Sequence, residues 1–410
     1  MSLIVLQPSA DYAARVHRHF PEALLLATPG RASQLAAHPR VVAADLDDPA
    51  AAFQALDTYR AQHHLEYRGL TCFVCDYLPL AADLAPQLGL PYHTTAAIAL
   101  SRDKSRAAQA WMAAGVSTPP TGLVHREEEL LSFCRHHPGP WILKPTDRSG
   151  SEWVLRVDEA DQLRDTHRCL HQGLEGAPYL AQRFVAGREF SADLFVEGGR
   201  ARLLRLTGKY LLRAPGLAGL VGAYYPAQVP AELETRLLDT FCAGALALGM
   251  ERGIAMVDAI VEGDTPYLLE MALRPGGDCL PDLCIRTTGY DPIFAACQVA
   301  LGQPPDFPDL SHPAPMAALH LTSTRSGVIR AIDFAALEAH PAVVQVEPYH
   351  LPGDELRCWE GSYDDRILAA CVVQCQGEEH LPALIEELRG LIHFELADEE
   401  LDPDPQAIPR

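Results

Sequence analysis

Positive charge, long apolar runs and the glycine signatures of common nucleotide-binding loops are all scarce in this 410-residue chain. Lysine and arginine number 33 against 54 aspartates and glutamates, a formal charge of −21. Such an excess repels phosphate backbones and anionic lipid, which argues against a nucleic-acid or membrane-surface partner. No apolar run approaches the ~20 residues that span a bilayer. The opening six residues carry no basic segment, so a first strand is expected there rather than a secretory leader. No G-x-G-x-x-G follows that strand and no G-x-x-x-x-G-K-[ST] occurs, so neither a dinucleotide site nor a Walker A loop is indicated. The 17 histidines include no H-E-x-x-H pair. The 11 cysteines are odd in number and scattered through apolar stretches, which points to reduced, buried thiols and to the cytoplasm. Cys72 and Cys75 form one C-x-x-C, but no second pair lies nearby. Its apolar surroundings read as a strand, so zinc and redox chemistry are disfavoured there.

What is present is ordinary globular material, 48% hydrophobic and 21% charged, in a chain long enough for two to four domains. Over the first hundred residues, apolar runs at 3–6, 23–27, 41–44 and 70–75 alternate with amphipathic stretches at 10–20, 50–63 and 78–88. That alternation predicts a parallel sheet covered by helices. A helix over about 102–114 ends at Gly115 and the Pro119-Pro120 stop. Strands are expected at 141–145, 153–157, 180–185 and 190–196, and a Gly- and Pro-containing loop at 214–226. A helix at 231–248 leads into strands at 253–261 and 267–271, joined by a turn at 262–264. Beyond about 305 short strands and turns predominate, with one helix near 381–391 and an acidic, proline-containing tail.

Two segments carry the chemistry. Asp258 and Glu270 sit on the two strands joined by that short turn, so they can lie side by side on one hairpin face. Like charges so placed repel unless a cation sits between them, and hard carboxylate oxygens suit Mg²⁺. Arg274 follows, within reach of a phosphate or a developing oxyanion, and Gly276-Gly277 frees backbone N–H groups for the same purpose. The second segment is Lys144, at the end of an apolar strand before the small turn Ser149-Gly150-Ser151. There an ammonium and loop amides can meet phosphates.

In order along the chain stand Arg102-Asp103-Lys104, Ala114-Gly115-Val116 with Pro119, Leu143-Lys144-Pro145 with the 149–151 turn, the segment 182–190 (QRFVAGREF), and the Asp258/Glu270/Arg274 constellation. This series resembles the ATP-grasp superfamily over about residues 100–300, and the closing third is similar to its L-amino-acid ligases. The resemblance implies an α/β and α+β multidomain chain: a Rossmann-like domain at 1–100, an ATP-grasp domain of two α+β subdomains at 101–305 with a lid subdomain at about 140–205, a β-rich part at 306–398 and a tail at 399–410. It implies ATP and Mg²⁺ as cofactors, with Mn²⁺ as the alternative ion. Small molecules, a carboxylic acid and an amine or amino acid, are the implied partners, and a homodimer is compatible with it.

Position by position, the resemblance gives Lys104 and Lys144 to the ATP phosphates, with Ser149, Gly150 and Ser151 over them. It gives Gln182, Phe184 and Val185 to the adenine hinge, Glu189 to the ribose hydroxyls, and Asp258 and Glu270 to the metal. Arg274 and Gly277 fall to the tetrahedral intermediate. Two positions depart from the family pattern. Ala272 stands where the family usually has a metal-binding Asn, and Gln182 stands where the hinge usually begins with Glu, its amide oxygen still able to accept from adenine. The implied reaction joins a carboxylate to an amine through an acyl phosphate. Water would destroy that intermediate, so the 149–151 turn and a loop at 207–225 are the candidates to close over it. Two other readings stay open: an ATP-grasp enzyme that activates bicarbonate, and a non-catalytic ATP-binding homologue in which Ala272 marks lost turnover.

Overall fold

The computed structural model describes residues 2–148, 150, 152–212, 220–357 and 364–397. Ser149, Ser151 and the tail at 399–410 therefore lie outside the described residues. Strands β1 (Ser2–Leu6), β2 (Leu24–Ala27), β3 (Val41–Ala43) and β4 (Tyr67–Cys72) form a parallel sheet in the order β3-β2-β1-β4. β1 and β2 are buried along their whole length, as strands covered on both faces must be. Helices Ala10–His19, Pro49–His63 and Leu78–Gln87 follow the expected alternation. The Ser9 and Asp48 side chains cap the first two by accepting first-turn N–H groups. The strand expected to reach residue 75 stops at Cys72, and Cys75–Tyr77 forms a single tight helical turn instead.

A small antiparallel sheet follows: β5 (Thr121–Val124), β6 (Trp141–Pro145), β7 (Leu155–Val157) and β8 (Tyr179–Arg183), in the order β5-β8-β6-β7. It has its own core of Trp141, Leu143, Leu155, Leu170 and Tyr179.

The next strands are β9 (Arg188–Glu197), β10 (Arg200–Leu212), β11 (Leu220–Pro226), β12 (Arg252–Glu262) and β13 (Thr265–Ala272). The C-terminal strands are β14 (Met316–Thr322), β15 (Gly327–Asp333), β16 (Val343–Pro348), β17 (Glu355–Leu356), β18 (Ile367–Gln374) and β19 (His393–Leu396). Eight of these make one sheet in the order β13-β12-β9-β10-β11-β14-β18-β16, and β17-β15-β19 form another. The stretch 140–205 thus contributes β6, β7 and β8 to the small sheet, and β9 with part of β10 to the large one.

Period-two alternation decides what the large sheet presents. Along β9, Phe190, Ala192, Leu194 and Val196 enter a core shared with Phe241 of helix Ala231–Ala247. Glu189, Ser191 and Asp193 point to the opposite face, opposite Lys209, Thr207 and Arg205 of β10. One face of this sheet is therefore apolar and the other carries a ladder of charges.

The loop expected at 214–226, and the closing loop at 207–225, need correction. Thr207 pairs with Pro226 and Lys209 with Tyr224 in the β10–β11 hairpin, leaving only 213–219 between the strands and outside the described residues. Within β10, a Cβ at Gly208 would lie 2.3 Å from the Tyr225 ring, so any larger residue there requires that ring to move. Helices Leu280–Thr288 and Pro292–Ala300, not anticipated from the sequence, fill the space between the large sheet and the N-terminal one. Among the described residues no helix is long and apolar enough to cross a membrane.

Candidate active site

The small sheet and the charged face of the large one enclose a cleft. Lys104, Lys144, Gly150, Gln182, Phe184, Val185, Glu189, Asp258 and Glu270 all line it, together with Lys209. Asp258 and Glu270 are direct cross-strand partners on β12 and β13, which the short turn at 262–264 makes unavoidable. Each has a lysine beside it: Lys209 Nζ lies 2.6 Å from Asp258 Oδ2, and Lys104 Nζ lies 3.6 Å from Glu270 Oε1. Lys104 also donates to the Arg148 carbonyl at 2.6 Å, tying the 147–150 turn to the mouth of the cleft.

Lys144 ends the buried strand β6 and donates to Gln182 Oε1 at 3.1 Å, while Gln182 Nε2 donates to Thr121 Oγ1 at 2.9 Å. The amide oxygen expected to read adenine is thus engaged by the lysine, and Gln182 positions Lys144. Burial, and then the neighbouring Lys104, pulls the Lys144 ammonium down to about 8, with Glu270 and Glu189 acting in the other direction. Burial pushes the Glu189 carboxyl up, against Lys209. At Lys209 burial opposes the charge, but Asp258 and Glu189 outweigh it and the ammonium is held more strongly than usual. An incoming polyanion meets lysines that are desolvated and held together, an arrangement suited to phosphate binding.

Lys209 was not recognised in the sequence. Its signal is the alternation Arg205, Thr207, Lys209 against Leu204 and Leu206, hidden by the glycine beside it. Beneath the cleft the buried pair Arg205 and Asp193, 2.9 Å apart, is fixed further by Arg205 bonds to Ser191 and Thr207. Asp193 Oδ1 also accepts the Gly276 N–H at 2.9 Å. A Cβ on Gly276 would come within 2.9 Å of Arg205 Nη2, so only glycine fits this approach.

Arg274 and Gly277 lie outside this cleft. Arg274 lines an adjoining cavity with Tyr92 and His93, donating Nε to Cys75 Sγ at 2.9 Å and Nη1 to the Pro275 carbonyl at 2.6 Å. Gly277 faces the Arg274 guanidinium and Tyr12. Half of the C-x-x-C pair therefore serves as a hydrogen-bond acceptor for Arg274. Cys72 donates to the Val74 carbonyl, and burial pushes its thiol up to about 12. Both are free thiols. Ala272, opposite Met256, brings no oxygen to the carboxylate pair.

Residues 101–278 match the ATP-grasp domain family. Carnosine synthase 1 of Mus musculus is 29% identical over 270 residues, covering 61% of this chain and 32% of that protein. A D-alanine–D-alanine ligase of Cupriavidus taiwanensis is 28% identical over 220 residues, covering 50% of this chain and 65% of that protein. The chain thus spans about a third to two thirds of the curated relatives it matches. The crystal structure of L-amino acid ligase from Bacillus licheniformis superposes with a TM-score of 0.78 at 19% identity, over 97% of this chain and 99% of that one. That likeness extends the shared fold through the N- and C-terminal parts.

Proposed function

We propose that this protein is an ATP-dependent carboxylate–amine ligase that forms an amide, releasing ADP and phosphate. The observation that carries the reading is the juxtaposition of Asp258 and Glu270 in one cleft with Lys104, Lys144 and Lys209. Paired carboxylates and convergent lysines are the two halves of a site for a metal–nucleotide complex. The relatives in sequence are themselves named as ligases and a synthase.

Asp258 and Glu270 offer the hard oxygens that fit Mg²⁺, and the ion, when bound, would neutralise phosphate charge. Lys104 and Lys144 would hold the ATP phosphates and Glu189 the ribose. Phe184 and the Val185 backbone would receive adenine, with Gly150 and its neighbours Ser149 and Ser151 over the phosphates. A substrate carboxylate oxygen attacks the γ-phosphorus and ADP leaves, giving an acyl phosphate. The unprotonated amine nitrogen then attacks the acyl carbon, the bond to the phosphate oxygen breaks, and the surplus proton passes to solvent. Arg274 and the Gly277 N–H would stabilise the oxyanion once the guanidinium leaves Cys75 and the Pro275 carbonyl and turns to the cleft. The substrates are small: an amino or other carboxylic acid and an amine or amino acid. Reduced thiols suit a cytoplasmic setting.

The test is phosphate release with ATP and Mg²⁺ across pooled amino acids, with mass spectrometry for new amides, a separate bicarbonate reaction and Glu270→Ala as control. Release that needs an amino acid, gives an amide and vanishes in the control is expected. Bicarbonate dependence would support the carboxylase reading instead, and ATP binding without release in any mixture would defeat both.

A further inference from the structure

Beside the proposed intermediate site lies a polar cluster that this reaction scheme does not use. Asp278 follows Gly277 directly and takes a left-handed backbone, φ 58°, a conformation open to Asp more readily than to most side chains. Its Oδ2 lies 2.8 Å from His320 Nε2, and its Oδ1 accepts from the Tyr349 hydroxyl. His320 Nδ1 in turn faces the Val221 carbonyl at 3.1 Å, and Val221 is part of the nucleotide cleft wall. Both ring nitrogens thus meet oxygen acceptors, a pattern that the imidazolium satisfies with two N–H donors.

His320 is 1% exposed, whereas the Asp278 side chain is 32% accessible. The dyad is therefore anchored at its histidine end and open at its carboxylate end. Tyr12, which faces Gly277, lies in the fields of both Arg274 and Asp278. Arg274 and Asp278 therefore both lie near Tyr12, which faces Gly277, the residue proposed above to meet the oxyanion. Burial works against the Asp278 charge, but His320, Tyr349 and the Cys279 N–H outweigh it and hold the carboxyl below its usual range. Cys279 Sγ lies 3.6 Å from His320 Nε2, so the three residues could be taken for metal ligands. The His320–Asp278 separation of 2.8 Å is that of a hydrogen bond. Two ligands at tetrahedral zinc, with bonds of about 2.0 Å, stand roughly 3.3 Å apart.

We propose that Asp278, held in place by His320 and Tyr349, is the recognition site for the ammonium group of the acceptor substrate, which gives up a proton to solvent before its nitrogen attacks the acyl carbon. The inference rests on the ligase reading given above. In it Asp278 touches substrate, and His320 is a positioning residue that keeps the carboxylate ionised and aimed. The acceptor class is accordingly a primary amine that is charged at neutral pH, such as an amino acid.

The experiment compares two nucleophiles, using the full chain, ATP, Mg²⁺ and whichever acid the pooled assay identifies. One is the charged amine; the other is hydroxylamine, uncharged at neutral pH, which traps the acyl phosphate as a hydroxamate. Asp278→Asn is expected to raise KM for the charged amine about tenfold or more, the loss of one charge-assisted hydrogen bond. Hydroxamate formation should change far less, and His320→Gln should move the same ratio in the same direction by a smaller factor. Equal losses with both nucleophiles, or an unchanged KM for the amine, would overturn the proposal while leaving the ligase reading intact. A wild-type chain that forms neither amide nor hydroxamate would overturn the ligase reading, and this inference with it.

Discussion

Three ion pairs border one face of the large sheet, and they are built in two different ways. Arg205 and Asp193 are 3% and 0% exposed, and the guanidinium is also bonded to Ser191 and Thr207. Lys209–Asp258 and Lys104–Glu270 border the cleft, their carboxylates 22% and 37% exposed, and each joins a lysine that can swing away. The first pair has no other partner to go to. The second set stands at the cleft proposed to receive a ligand with phosphates and a cation, where those charges would exchange partners. The contrast separates charge used as structure from charge kept in readiness, and it can be tested by breaking each.

The largest effect is expected where the buried pair is broken. Arg205→Met leaves Asp193 without its counter-ion and should cost about 3–5 kcal/mol of stability, read from chemical denaturation. Asp258→Asn should do the reverse: phosphate release falls roughly 10²–10³-fold, about 2.7–4 kcal/mol in the barrier. Its denaturation midpoint should stay near wild type, and a fall as large as that of Arg205→Met would erase the contrast. Gly276→Ala drives a methyl against Arg205 and should destabilise by about 1–3 kcal/mol.

The smallest effect is in pH. Lys144 loses its proton near pH 8 in the free protein, below its ordinary 10.5, and bound phosphates favour the charged form. ATP affinity should therefore be full below about pH 8 and weaken above it, by at most about tenfold per pH unit. Titrations of ATP binding at fixed ionic strength measure this. Lys144→Met should bind more weakly throughout and lose that component of the slope.

The legibility of these features in the sequence follows their range along the chain. The Asp258/Glu270 pairing was readable because a short turn brings the two strands together, so local pattern fixes the register. The parallel sheet was readable from apolar runs spaced by helices. Lys209 was not, because its alternation with Leu204 and Leu206 is short, and the partners of β10, β9 on one side and β11 on the other, leave no local trace. The glycines and prolines of 214–226 argue locally for a loop, yet 220–226 is strand β11, paired with β10. The pairing of Asp278 with His320 spans 42 residues and depends on β14 lying next to β11, which only the tertiary fold supplies. Gln182 was expected within a strand, as it is in β8, but its partner Lys144 was not foreseen.

The seam between β11 and β14 is narrow, with Ala223 opposite Leu319 and Tyr224 opposite Ala318. It nevertheless makes the nucleotide strands and the C-terminal strands one continuous sheet. A fragment cut near residue 305 would keep every proposed ATP-binding residue and still be a poor protein to work with. The cut would bare an unpaired strand edge flanked by tyrosines, inviting self-association. A cut just beyond β16 fares no better, because it removes β18, the strand that joins β16 to β14.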